Sequence, residues 1–329
     1  MRRVPQVLAV LAAGLWTAGA APAIAGTPEL LGFVSVTPAS VEQLARRTYS
    51  LDSKVRLAAE LRLPAAGPVP VVVIMASGEA EAGDRERAWA DRLAQIGIGS
   101  LRVDSFQPRG LQSQGLYFDV QSIAADIADA LAALQQLLGD PRVDPKRIAI
   151  MGAMRGGSAA LATALEPLRR RGLRGEGHFA AHIALQAGCD VRYLAEAVDT
   201  APVLFVHGAA DDVTPAQHCR EYADWFARAG AAVQFVGVPE ARHDFDRTIP
   251  AAYDPQLETA RGCDLERNID AGFDRRLDTG ELVIGPAMRR AYEDGCRGRG
   301  GHRAGNAAAS AAAEQAIERF LRKVFRLAR

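Results

Sequence analysis

Hydrophobic positions change their spacing from one segment of the chain to the next. The runs VPVVVIM (69–75), RIAIMG and VLFVHG are almost continuously apolar, as in strands that are buried on both faces. Between such runs, apolar residues recur every three or four positions, as in helices that cover a sheet with one face. The clearest helical set is Ile123, Ile127, Leu131, Leu134 and Leu138. This alternation predicts an α/β fold with a mostly parallel central sheet and helices on both faces.

The pattern differs on both sides of this alternating region. TYSLDSKVRLAAELRLP predicts two strands joined by a tight turn at Asp52-Ser53, after a short exposed lead. Residues 251–306 are polar and glycine-rich, which predicts a surface excursion without a second core. A final helix is predicted from Ile317, Phe320, Leu321, Val324 and Phe325. Since no internal repeat is present, residues 26–329 are interpreted as one domain.

Residues 1–25 have the pattern of a secretory signal peptide. A basic start, MRR, is followed by the apolar run VLAVLAAGLWTAGAA and by a small-residue cleavage site at Ala23-Ile24-Ala25. The cleavage site makes a membrane anchor the less favoured alternative, and no later run has the length of a membrane span. We therefore expect export, to the periplasm or to the outside of the cell.

Charge and cysteine content narrow the possible partners. The formal net charge is zero, so the chain has no electrostatic signature of nucleic-acid binding. Four cysteines in an exported chain favour disulfides over free thiols, although three connectivities are open. We favour Cys189–Cys219 and Cys263–Cys296, the second of which would stabilise the polar excursion by about 4 kcal/mol. No zinc-like spacing occurs, and we expect neither a metal nor a cofactor.

The segment RIAIMGAMRGGSAAL (147–161) predicts a strand, a sharp turn and a helix. Its frame, Gly152-Ala153-Met154-Arg155-Gly156-Gly157, is the G-x-X-x-G arrangement that presents a nucleophile at the carboxyl edge of an α/β-hydrolase sheet. Small residues are needed there because strand and helix backbones approach closely. The central residue is methionine, which is not a nucleophile of this kind.

An acid and a histidine follow in the order that this frame requires. FVHGAADDVTP places Asp211 after one buried strand, and FVGVPEARHDFD places His243 after the next. Asp211 can accept the proton on one ring nitrogen of His243, which leaves the other nitrogen facing position 154.

Together, VDSFQPRG, VDPKRIAIMGAMRGG, HGAADDVTP and ARHDFD resemble the dienelactone hydrolase family of α/β-hydrolases, in an exported branch, over about residues 50–250. The resemblance implies hydrolysis of esters or lactones by a cysteine or serine nucleophile, with Asp211 as acid and His243 as base. Two positions depart from the family pattern. Met154 occupies the nucleophile position, and the oxyanion loop reads Met75-Ala76-Ser77-Gly78 where the family has histidine–glycine.

Several other residues are candidates for the same site. The backbone N–H of Arg155, with Ala76 and Ser77, is expected to form an oxyanion hole. The side chains of Arg109 and Arg155 either bind a carboxylate-bearing ligand or form surface or structural pairs, and the second interpretation has at least as much support as the first. Ser77 is the least implausible replacement nucleophile, whereas Ser158 and Ser105 are interpreted as structural.

Three hypotheses follow from these residues. The leading one is a catalytically impaired hydrolase that binds a small ester, lactone or carboxylate. The second is an active exported ester or lactone hydrolase that uses water activated by His243 or a relocated serine. The third is a lid or scaffold role built on residues 255–306. The sequence leaves the oligomeric state open.

Overall fold

The computed structural model describes residues 26–78, 83–111, 121–173 and 175–327, so the predicted signal peptide lies outside the described residues. An eight-stranded sheet forms the centre, in the spatial order β1-β2-β4-β3-β5-β6-β8-β9. From β4 to β9 neighbouring strands are parallel, while β1 and β2 are antiparallel additions at one edge. The strands are β1 (Glu29–Val36), β2 (Lys54–Arg62), β3 (Val69–Met75), β4 (Gly99–Val103), β5 (Val143–Ala153), β6 (His182–Leu185), β7 (Val191–Leu194, in a smaller sheet), β8 (Val203–Gly208) and β9 (Val233–Val238).

Helices cover both faces of this sheet, as the sequence predicts. Within the described residues there are eight: α1 (Val41–Arg46), α2 (Gly83–Gln95), α3 (Ile123–Leu138), α4 (Arg155–Ala162), α5 (Glu166–Gly172), α6 (Ala216–Arg228), α7 (Gly285–Cys296) and α8 (Ala307–Phe325). One apolar core lies between the sheet and α1, α3, α4, α5 and α6, and a second lies between the sheet and α2 and α8. The predicted α/β-hydrolase architecture is confirmed.

The predicted hairpin around Asp52-Ser53 is wrong. Residues Leu51–Ser53 form a 3₁₀ turn, and β2 pairs instead with β1, which lies in the segment that we interpreted as an exposed lead. Helix α1 fills the connection between the two strands. In β1 burial alternates near the end of the strand, so that Phe33 and Ser35 are buried while Gly32 and Val34 are exposed. This alternation is typical of a strand with one face on the core.

The polar segment 251–306 is more regular than the sequence predicts. It contains β10 (Ala252–Thr259), β11 (Leu265–Asn268), β12 (Phe273–Arg276), β13 (Leu282–Val283), α7 and β14 (Gly298–Arg303). Strands β10 and β14 pair with each other, and β11 adds in parallel to β7, which the main domain supplies. A buried ion pair between Arg267 and Asp274, 2.9 Å apart, takes the place of a large apolar core in this sheet.

Two disulfides join the same cysteines that the sequence analysis favours. Cys189–Cys219 connects the segment after β6 to α6, with Cα atoms 5.0 Å apart. Cys263–Cys296 connects the turn before β11 to the end of α7, with Cα atoms 4.9 Å apart. In the described part of the chain, no helix combines the length and apolarity that a membrane crossing needs.

We expect removal of the second disulfide, by Cys263→Ala with Cys296→Ala, to lower the free energy of unfolding by about 4 kcal/mol, because closure of its loop no longer restricts the unfolded chain. Urea unfolding of the variant and of the oxidised parent protein measures the difference. The matched control is Cys189→Ala with Cys219→Ala, which opens a loop of similar length, 30 against 33 residues. A loss below about 1 kcal/mol for the Cys263–Cys296 pair would contradict this view of the excursion.

His182, the first residue of β6, is fully buried. Its Nδ1 lies 3.0 Å from the carbonyl oxygen of Ala160 and 3.1 Å from Oγ1 of Thr163. Burial lowers the pKa of His182 to about 4, although the nearby Asp199 carboxylate acts in the opposite direction. The imidazole is therefore neutral in the folded protein near neutral pH.

This buried histidine predicts a loss of stability in acid. The unfolded chain binds a proton at His182 below about pH 6.5, whereas the folded protein binds it only near pH 4, so the free energy of unfolding falls by up to about 1.4 kcal/mol per pH unit between these values. His182→Asn keeps an N–H near the position of Nδ1 and should lose this part of the dependence. Urea unfolding from pH 7 to 4.5 tests it, and parallel curves for the two proteins would show the assignment to be wrong.

Candidate active site

The turn between β5 and α4 holds Met154 in a strained backbone conformation. Its φ of 50° and ψ of −118° lie in a region that residues with a side chain rarely adopt. The Met154 amide donates to the Leu185 carbonyl, 2.9 Å away, and α4 begins at the next residue. The turn therefore presents side chain 154 at the carboxyl edge of the sheet, where β5 and β6 end.

Two glycines make this turn possible. A Cβ atom on Gly152 would lie 2.3 Å from the carbonyl carbon of Gly156, and one on Gly156 would lie 2.6 Å from the carbonyl oxygen of Met75. Both contacts are too close for any side chain. The close crossing of β3, β5 and α4 thus explains the glycine frame in the sequence.

The sulfur of Met154 contacts a buried arginine that the sequence analysis missed. Nη1 of Arg85 lies 3.6 Å from Met154 Sδ, and the Arg85 side chain is only 3% exposed. Arg85 also pairs with Asp244, and its Nε lies 3.1 Å from Oδ2 of Asp246. The position of Arg85 in the sequence could have indicated this contact. Arg85 lies in the first turn of the helix that follows β3, and this turn lies at the same edge of the sheet as Met154.

Asp211 and His243 form the predicted hydrogen-bonded pair. Nδ1 of His243 lies 2.9 Å from Oδ2 of Asp211, and both side chains are fully buried. The other oxygen of Asp211 accepts the amide N–H groups of Val213 and Thr214, each at 2.9 Å. We assign the Nδ1 proton to this bond because a carboxylate accepts and cannot donate. Nε2 of His243 then has no hydrogen-bond partner among the described residues.

The two members of this pair shift each other's protonation. Burial alone would raise the pKa of Asp211, but the charge of His243 and hydrogen bonds from His207 and His243 bring it below its ordinary value. Burial alone would lower the pKa of His243, but Asp211 raises it above its ordinary value. The pair thus favours an ionised carboxylate beside an imidazole that protonates readily.

The oxyanion candidates are not equally available. The Ser77 amide donates to Oε1 of Glu86 at 3.0 Å, so this N–H is already used within the protein. Glu86 is buried, and burial raises its pKa in spite of the nearby Arg85 charge. The backbone amides of Ala76 and Arg155 remain as candidates for an oxyanion hole.

Neither arginine that we considered for ligand binding has its guanidinium available. Arg155 donates to Asp126, with Nη2 2.7 Å from Oδ2, and to the Gln121 carbonyl at 2.8 Å. Arg109 binds Asp129 through two N–H groups at 2.7 and 2.9 Å, and its other contacts are Thr37, Ser105 and Val36. The structural-pair interpretation therefore replaces the carboxylate-binding one, because both groups neutralise buried aspartates of α3.

Ser158 is equally occupied, since its hydroxyl donates to the Gly188 carbonyl at 2.7 Å. Ser105, which follows β4, is buried.

Among the residues that the structure describes, no group of three or more histidine, cysteine or acidic side chains is arranged to hold a metal ion.

Comparisons with known proteins identify the family and agree with the fold. The model of the "Dienelactone hydrolase family" matches residues 57–262. The crystal structure of a dienelactone hydrolase-like promiscuous phosphotriesterase from metagenomic libraries is 19% identical, with a TM-score of 0.51, over 91% of this chain and 99% of that one. Esterase 2 of Thermogutta terrifontis, phosphorylated by paraoxon, is 21% identical, with a TM-score of 0.46, over 61% and 83% of the two chains.

A comparison of this sequence with those of curated proteins found no match. At this level of identity the solved structures show the fold alone. The family model covers more than half of the chain, and the matched range includes residues 154, 211 and 243. This chain belongs to the dienelactone hydrolase family.

Proposed function

We propose that this protein is a dienelactone-hydrolase-like protein that keeps its acid and base, is impaired in covalent catalysis, and binds a small ester, lactone or carboxylate. The observation that carries the proposal is the residue at the elbow. A strained turn presents side chain 154, yet that side chain is a thioether whose sulfur contacts Arg85.

Methionine cannot replace the family's serine or cysteine. A thioether has no proton for His243 to remove, and its acylation would produce an unstable sulfonium. Loss of the nucleophile from a hydrolase triad costs on the order of a millionfold in rate.

The retained pair supports a binding role. His243 is held by Asp211 through Nδ1, and its buried Nε2 has no partner among the described residues, so this nitrogen has one hydrogen bond left to make with a ligand. Two disulfides, together with the signal-like first 25 residues, support export to an oxidising compartment.

The same nitrogen favours one alternative, an active hydrolase in which His243 activates water. General-base catalysis of this kind contributes about 10²- to 10⁴-fold. The base works only when His243 is unprotonated. Since its pKa is raised, this route requires a rate that increases with pH and levels off above the pKa of His243.

We expect Met154→Ser to raise hydrolysis of 4-nitrophenyl acetate by at least about 100-fold over the unaltered protein, because a hydroxyl supplies the proton that His243 can remove. Met154→Ala is the matched control, since it removes the thioether without adding a nucleophile. Adding His243→Ala to Met154→Ser should abolish the gain. Turnover by the unaltered protein that rises with pH and disappears in His243→Ala would overturn the proposal and favour the water route.

The binding half of the proposal has a separate test. Titration with γ-butyrolactone, followed by NMR of histidine-labelled protein, should shift the His243 ring signals and saturate, because Nε2 is the group expected to meet the ligand oxygen. His182, which is also buried, provides the internal control and should not shift. The absence of any change at His243 for lactone, ester and carboxylate probes would contradict a ligand site there.

A further inference from the structure

Strand β14 contacts both loops that carry the acid–base pair, although it lies outside the residues that match the family. On the acid side, the His302 amide donates to Oδ1 of Asp212 at 2.8 Å, and the His302 ring Nδ1 lies 2.7 Å from Oδ2. Asp212 directly follows Asp211 in the chain. The end of β14 is thus joined to the loop that supplies the acid.

The next residues of the same segment hold the histidine loop. The Ala304 amide donates to the His243 carbonyl at 3.1 Å, and residues 243 and 303 form an isolated parallel bridge. Nε of Arg303 lies 2.5 Å from Oδ2 of Asp244, which directly follows His243. The Asn306 amide then donates to the Phe245 carbonyl at 2.9 Å.

Asp244 is held from two sides. Its other carboxylate oxygen pairs with Arg85 of α2, and its backbone has a left-handed φ of 62°. Burial opposes ionisation, but the charges of Arg85, His243 and Arg303 lower the pKa of Asp244 to about 2. Asp244 is therefore an anion beside His243 whose charge Arg85 and Arg303 neutralise together.

Strand β14 is itself firmly attached. It pairs with β10 along its length, and the Gly300 carbonyl accepts from Nη2 of Arg261 at 2.8 Å. The Cys263–Cys296 disulfide lies two residues before the strand begins. These attachments hold β14 in place, and with it the side chains of His302 and Arg303.

We propose that β14 is a positioning element for the acid–base pair, with Arg303 holding the His243 loop through Asp244 and His302 holding the Asp211 loop through Asp212. The Asp211–His243 hydrogen bond joins side chains from two separate loops, so its geometry depends on how those loops are fixed to each other. Arg303 also has an electrostatic effect on His243, because it offsets the negative charge of Asp244 next to the imidazole. This role is independent of residue 154 and goes beyond the proposed function.

The test is the pKa of His243, measured by NMR on histidine-labelled protein, with His243→Gln used to assign its signal. The charged and polar groups around His243 are Asp211 and Thr214 after β8, Asp244 on its own loop, and Arg85 on α2. Arg303→Gln keeps the backbone bridge between residues 243 and 303 and the Ala304–His243 hydrogen bond, so Asp211 still bonds to the imidazole. Asp244 loses one of its two cations, and we therefore expect the pKa of His243 to rise by at least about 0.5 unit. Arg303→Lys keeps the charge and should return the value toward that of the parent protein.

Arg299→Gln is the matched control. Arg299 lies on the same strand, but its Nη1 donates to Oε1 of Gln256, 3.2 Å away, and not to Asp244. This variant should leave the pKa of His243 unchanged within about 0.2 unit. If folded Arg303→Gln also leaves it unchanged, the proposal is overturned.

A second variant decides the question if Arg303→Gln fails to fold. His302 has a side chain that is 43% exposed, so His302→Gln should fold. Loss of its ring contact with Asp212 should loosen the segment and speed hydrogen exchange of the Ala304 amide by about tenfold. Exchange at the parent rate in His302→Gln would show that β14 does not hold the two loops.

Discussion

The close crossing of β3, β5 and α4 is the constraint on which the site depends. It leaves no room for a Cβ at Gly152 or Gly156 and places the residue between them in a strained turn. Strain of this kind persists only where the surrounding structure enforces it, and it is typical of positions with a functional history. The crossing therefore holds Met154 in a strained backbone conformation at the carboxyl edge of the sheet.

Buried charges organise the rest of this edge of the sheet. Asp211 pairs with His243, Asp244 with Arg85 and Arg303, and Asp126 with Arg155. Removing one partner from a buried pair leaves an uncompensated charge, which is strongly destabilising. Asp211 and His243 thus belong to a network with structural roles, which under the proposed function gives a physical reason for their presence beside Met154.

Sequence patterns predict the parallel part of the fold well because continuous apolar runs and helical spacing are local signals. The run from Val69 to Met75 is predicted with its observed bounds. The pairing of strands that are distant in the chain does not follow from local patterns. Strand β1 pairs with β2 across α1, and β11 pairs with β7 across more than 70 residues. The acid and base follow from motif order, but Arg85 and Arg303 reach the site only through the tertiary fold.

The most direct test is the mass of the intact protein after incubation with a fluorophosphonate, which marks activated serine nucleophiles covalently. We predict no added mass on the unaltered protein, because residue 154 is a thioether and the four cysteines of the protein are paired in disulfides. Stoichiometric addition, located by peptide mapping at Ser77, at Ser158 or at any other residue of the site, would contradict the claim that covalent catalysis is lost.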